Sequence, residues 1–211
     1  MTFPQISETP AILDFFLDDE AWGIALRNVG EVFSALSKYK GISTKTKSEI
    51  ISGIVAEELT NVLNEKNELE KYFFRGAASD NEPDIVVEGV SMEIPTVHTK
   101  QPWLGVAEVK VAKATKDTKG NYSVTWRGGE LSKRDGDYFF VAWDFVDDSI
   151  EWFVCHAFVK KTDWKSSLQN GYYATTITTE QVLDNHLGEV VLGSLSLSAK
   201  GNSRFKIAAA I

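Results

Sequence analysis

Pro83-Asp84 and, further along, Glu108-Val109-Lys110 are the residues whose types and spacing suit joint chemistry. Two carboxylates supply the oxygen ligands that a hard divalent cation such as Mg²⁺ takes. A lysine beside them serves as a point charge for a phosphate or, with its pKa lowered, activates a water. Glu108 and Lys110 interrupt "GVAEVKVAK", residues 105–113, which is otherwise Val, Ala and Gly up to a final lysine. Strand side chains alternate, so Glu108 and Lys110 share one face while Ala107, Val109 and Val111 line the other. Two charges on an apolar platform cost free energy unless they are paired or bind something. A plain ion pair between them is the other reading of this spacing. Pro83 lacks an amide donor and marks a strand entrance, which puts Asp84 at the edge of a sheet. If its strand pairs with that of Glu108, two carboxylates and one ammonium converge.

The elements that must position these groups follow from pattern. Thr9-Pro10 is an N-cap and first-turn pair, and "AILDFFLDDEAWGIALRNVGEVFSALSKY" carries apolar residues at helical spacing, as one broken helix or two. The chain breaks near Gly41, and Thr46 with Glu49 fits a capping box for the next helix. There Ile51, Ile54, Val55, Leu59 and Val62 form an apolar stripe, with Glu58 inside it and Glu57 on its flank. A carboxylate on an inward helix face needs a partner or a role. From residue 72 the pattern turns to short β-branched or aromatic runs bounded by Gly, Asp, Asn or Pro, which read as strands. "DYFFVAWDF" and "IEWFVCHAFV" are joined as a hairpin, and "TTEQVLDNH" is a short helix. Helices first and a mostly antiparallel sheet after them predict an α+β fold or a mixed α/β sandwich in a single domain, residues 1–211, with a helical subregion over 1–45 and the core and C-terminal strands over 46–211.

Net charge is −8 over 211 residues, but unevenly spread. Residues 100–134 hold eight bases against three acids, whereas residues 1–20 hold five acids and no base. A local basic surface can steer a polyanion while the rest repels it. Within that segment Lys113, Tyr122, Trp126, Arg127, Lys133 and Arg134 are candidates to touch DNA phosphates or bases. No nucleotide-binding glycine motif is present, and His98, His156 and His186 lack metal-ligand spacing. Cys155 is the only cysteine, so internal disulfides and cysteine-based zinc sites are excluded. No basic and apolar leader and no run long enough to span a membrane is seen, which predicts a cytoplasmic protein.

The "PD" at 83–84 followed by "EVK" at 108–110 resembles the PD-(D/E)XK nuclease motif. Apolar strands around both halves, and a helix with an inward Glu ahead of them, are similar to that family as well. The resemblance spans about residues 46–160. It implies an α/β/α sandwich of restriction-endonuclease type, Mg²⁺ held by Asp84, Glu108 and the Val109 carbonyl, with Glu58 joining them and Glu93 a substitute carboxylate. Lys110 would orient or polarise the attacking water. The implied activity is hydrolysis of double-stranded DNA by a type II restriction endonuclease, working as a homodimer because protein symmetry mirrors a palindromic site. Phe15, Phe16, Leu17, Trp22 and Phe33 would then form an interface or flank away from DNA. A non-catalytic nucleic-acid-binding domain and a structure-specific nuclease are the alternatives.

Overall fold

The computed structural model describes residues 3–67, 71–79, 82–94, 97–128, 135–146, 149–169, 172–184, 188–195 and 197. Helices come first: α1 (Pro10–Phe16), α2 (Asp19–Ser37) and α3 (Thr44–Lys66). Strands β1 (Tyr72–Gly76), β2 (Ile85–Ile94) and β3 (Val97–Lys113) follow. Then come the short β4 (Thr115–Lys116), β5 (Tyr122–Ser123) and β6 (Thr125–Gly128), and the long hairpin β7 (Gly136–Val146) and β8 (Ser149–Val159). Strands β9 (Lys165–Gln169) and β10 (Tyr172–Thr178), helix α4 (Thr179–Asp184) and β11 (Gly188–Gly193) complete it. This is the expected α+β order of N-terminal helices and a mostly antiparallel sheet. The run "RFKIAAAI", read as a strand, lies outside the described residues.

The backbone divides into two compact units: Met1–Gly41 with Ile50–Val109, and Ile42–Glu49 with Lys110–Ile211. The expected helical subregion over 1–45 therefore takes in α1, α2 and the first residues of α3.

In the first unit the broken helix is two helices. Asp18 stands between them and caps α2, its Oδ1 accepting the N–H groups of Glu20 (3.0 Å) and Ala21 (3.2 Å). Its Oδ2 takes Lys66 Nζ at 2.6 Å, which ties the start of α2 to the end of α3. Phe16, Trp22 and Phe33 are fully buried, and Trp22 Nε1 donates to the Phe16 carbonyl at 2.9 Å. These aromatics form core, not an interface. Strands β1, β2 and β3 pair antiparallel in that order, with Phe74 opposite Val87 and Ile85 opposite Ala107. Ahead of α1, Pro4 accepts the Val106 N–H at 3.0 Å and Ile6 packs over Gly105. A Cβ at Gly105 would lie 3.0 Å from Ile6 Cγ2 and 3.1 Å from its Cα, so the close crossing requires glycine.

The outer edge of β1 is completed by side chains. Asn64 Nδ2 donates to the Phe74 carbonyl at 2.6 Å, and the Phe74 N–H donates back to Asn64 Oδ1 at 2.9 Å. One carboxamide thus takes the place that the peptide of a neighbouring strand would fill, β1 being an edge strand among the described residues. Asn67 Nδ2 treats the Tyr72 carbonyl likewise at 2.6 Å. Unpaired backbone groups at a half-buried edge are costly, so these contacts terminate the sheet without a penalty.

In the second unit α3 begins one turn earlier than the capping-box reading placed it. Ser43 is the cap, its Oγ accepting the Thr46 N–H at 3.1 Å. Strand β7 is buried on both faces from Gly136 to Trp143. Tyr138, Phe140 and Ala142 face Ala157, Cys155 and Phe153 directly across the hairpin, and with Trp126, Trp164 and Ile177 they make one core. Burial pushes the Cys155 thiol well above its ordinary range. Strands β6, β10 and β9 form a separate three-stranded sheet.

Two outcomes are expected. Asn64→Ala should lower unfolding stability by about 1–3 kcal/mol in a urea titration with an unchanged slope, because it strands both polar groups of Phe74. The Asp18 carboxyl sits below its ordinary range: burial alone would raise it, but Lys66 and the two capping amides outweigh burial. A carboxyl lowered in the folded state stabilises at neutral pH, and that contribution is lost as pH falls through its folded value. Stability curves of wild type and Lys66→Ala should therefore differ at pH 7 and converge in the acid range below the ordinary carboxylate value.

Candidate functional site

Asp84 stands where the chain enters β2, directly after the buried Pro83. The β2–β3 register begins with Ile85 opposite Ala107, and Asp84 stands one residue outside it. Asp84 Oδ2 accepts the N–H of Val109 at 2.8 Å, which joins the two halves of the motif across 25 residues of sequence. The same residue is also held at its carbonyl: Ser52 Oγ on α3 donates to the Val109 carbonyl at 2.9 Å. Ala107 and Val109 are buried while Glu108 is partly exposed, which is the predicted alternation. Lys110 follows in the same strand and is partly exposed as well.

A cleft of about 630 Å³ opens beside Asp84. Its walls are α3, through Gly53, Ile54, Glu57 and Asn61, and β1 with the residues after it, through Phe73 to Ala78. Gly76 leaves the space between them open, since a Cβ there would lie 3.8 Å from Glu57 Cα and 3.9 Å from the Asp84 carbonyl oxygen. Glu57 is exposed on the cleft wall. Glu58, the residue singled out from the helical stripe, turns to α2 instead, where Asn28 Nδ2 donates to its Oε2 at 3.0 Å. The α3 carboxylate on the Asp84 side is therefore Glu57. Its position on the flank of the stripe was the available signal, because a helix packed along two sides keeps its flanks for neighbours. The Glu93 side chain lies outside the described residues.

An ion cluster shapes the approach to Asp84. Arg75 on β1 donates through Nη1 to Glu82 Oε2 (2.6 Å) and the Gly76 carbonyl (3.1 Å), and through Nε to Glu88 Oε1 (2.9 Å). Its guanidinium lies 5.8 Å from the centre of the Trp103 ring on β3. The Ala78 N–H also donates to Glu82, at 2.8 Å. Arg75, with the Ala78 amide, holds the Glu82 carboxyl below its ordinary range.

The residues fit a hydrated hard cation. Asp84 at the entrance to β2 and Glu108 on β3 are the carboxylates of the two half-motifs, and each oxygen, like the Val109 carbonyl, has more than one lone pair to give. Among the described residues no group of three or more His, Cys, Asp or Glu is placed to hold a metal. Mg²⁺ is commonly bound by one or two carboxylates plus waters and phosphate oxygens, so two suffice.

The basic segment is divided in its roles. Trp126 is fully buried, its Nε1 donating to the Val141 carbonyl at 2.9 Å and its ring 5.0 Å from that of Phe140. It is core and cannot meet DNA, which corrects the sequence expectation. Lys113 is exposed, with Nζ 3.4 Å from Asp144 Oδ1 and 5.6 Å from the Trp143 ring centre. Tyr122 is partly exposed, with Lys116 Nζ 5.1 Å from its ring centre. Arg127 is exposed on β6. Lys133 and Arg134 lie outside the described residues. On the hairpin β7–β8, His156 Nε2 and Asp137 Oδ1 form a buried pair 2.9 Å apart, on the face opposite Cys155.

No family model, curated protein or solved structure matches the chain. Among the described residues no helix is long and apolar enough to cross a membrane. Trp126→Ala should cost about 3–5 kcal/mol of stability, as truncation of a buried aromatic does, whereas Arg127→Ala should stay within about 0.5 kcal/mol of wild type. Denaturant midpoints of the two variants check the contrast.

Proposed function

We propose that this chain is a Mg²⁺-dependent endonuclease of double-stranded DNA, a type II restriction enzyme of PD-(D/E)XK type. The bond from the Val109 N–H to Asp84 Oδ2 carries the reading, since it draws the Pro-Asp half of the motif onto the Glu-Val-Lys half. Asp84 and Glu108 would hold the ion, with the Val109 carbonyl beside them, while Glu57 lines the cleft on the α3 side without joining the ligand set. When bound, Mg²⁺ supplies positive charge against the oxygens of the scissile phosphate and lowers the pKa of a water. Lys110, turned the same way as Glu108 by strand alternation, places its ammonium against the phosphate or the attacking water. Lys113, Tyr122 and Arg127, with Lys133 and Arg134, take the DNA backbone. A twofold dimer would present two such sites to a palindrome. The cytoplasm, where the DNA is, is the compartment this activity needs.

A second reading is a DNA-binding domain without catalysis. The engagement of the Val109 carbonyl by Ser52 and the pairing of Glu58 with Asn28 favour it, because both groups then serve the fold.

Phage DNA incubated with the purified protein decides between them. Cleavage is expected with Mg²⁺ and absent with EDTA, and discrete bands mark a sequence-specific enzyme. Asp84→Asn keeps an oxygen for the Val109 N–H and removes the charge. It, Glu108→Ala and Lys110→Ala should each reduce cleavage at least a hundredfold while DNA binding persists. Arg127→Ala should weaken binding and lower the salt slope by about one. Binding without Mg²⁺-dependent cleavage of any duplex would overturn the enzymatic reading in favour of the second.

A further inference from the structure

We infer that Arg75 and Glu82 form a clamp that aims the Asp84 carboxylate, and that this clamp sets the affinity of the site for its divalent cation; the inference rests on the metal site proposed above. Glu82 lies two residues before Asp84, in the connection from β1 to β2. Every described residue from there into the sheet is fixed by a separate contact. Glu82 is held by Arg75 Nη1 at 2.6 Å and by the Ala78 N–H at 2.8 Å, and its own N–H donates to the Ser79 carbonyl at 3.0 Å. Pro83 is buried, and its ring fixes φ. Asp84 is bonded to Val109, and Ile85 is paired with Ala107.

Arg75 is suited to this work because one rigid fork reaches three strands. It holds Glu88 on β2 and lies against Trp103 on β3, so the guanidinium that grips Glu82 is itself held on two further sides. Its side chain is 19% exposed and that of Glu88 10%, so the cluster is well shielded from solvent at its strand end. A lysine would give one point charge where the guanidinium gives a planar fork with several donors. Neither Arg75 nor Glu82 is proposed to touch the cation or the phosphate. They are positioning residues, acting through the backbone that carries Asp84. Removal of outer partners that orient metal ligands costs about 10–100-fold in metal affinity in other proteins.

Calorimetric titration of the full chain with Mg²⁺, and separately Mn²⁺, tests the clamp without reference to activity. Glu82→Ala should weaken binding about tenfold. Glu82→Gln keeps an oxygen that accepts from Arg75 and Ala78 and should stay within about threefold of wild type. Arg75→Lys should resemble Glu82→Ala. Where cleavage is measured, the loss in Glu82→Ala should be recovered at high Mg²⁺ concentration, a split that a general loss of structure would not give. Should Glu82→Ala bind the ion as wild type does, the clamp is overturned and the metal site stands. Should wild type bind neither ion, the metal site fails and the clamp with it. If Glu82→Ala does not fold, Arg75→Lys against Glu82→Gln makes the same comparison.

Discussion

Val109 is gripped at both of its backbone polar groups, and the placing of Glu108 and Lys110 depends on it. Its N–H is taken by the Asp84 carboxylate from β2, and its carbonyl by the Ser52 hydroxyl from α3. Val109 is fully buried, so its side chain anchors a third direction. With that residue fixed, Glu108 and Lys110 have no freedom of register: each is one covalent step away, and alternation decides where it points. Hydrogen bonds to charged groups contribute about 1.5–3 kcal/mol, more than a typical neutral bond. A slip of one residue would break both grips and turn the two charges toward the buried face.

Helix α3 links the grips to the cleft. One side of it packs into the core through Ile51, Val55, Leu59 and Leu63. Ser52 reaches β3, Glu58 reaches α2, Asn64 completes β1, and Glu57 lines the cleft. Four different neighbours are served by side chains within thirteen positions. That explains why a single apolar stripe, projected from the sequence, misjudged which glutamate faces Asp84. A helical wheel finds the centre of the buried face but cannot say which flank meets which neighbour.

Much of the frame was legible because it rests on local chemistry. Pro10 at a helix start, the break before α3, the pairing of β7 with β8 and the alternation around Glu108 all follow from residues close in sequence. What could not be read depends on distant partners. Strand β1 is short, and its edge is completed by Asn64 ten residues earlier, which no alternation pattern signals. Trp126 sits among lysines in the sequence, yet its indole finds the Val141 carbonyl and the aromatic core. Ser43 outcompeted the Thr46 box because its hydroxyl, one turn earlier, already takes the Thr46 N–H. For the site, the observed link is the bond from the Val109 N–H to Asp84, which spacing alone does not signal, while the Arg75 cluster had no counterpart in the motif at all.

Cys155 has a consequence of its own. It is the sole thiol of the chain and is wholly enclosed in the core of the β7–β8 hairpin. Thiolates, not thiols, attack disulfides and electrophiles, and burial suppresses the thiolate here. In its folded form the molecule thus offers oxidants and alkylating reagents no sulfhydryl handle. A cysteine introduced on its surface would be the single position open to a maleimide dye.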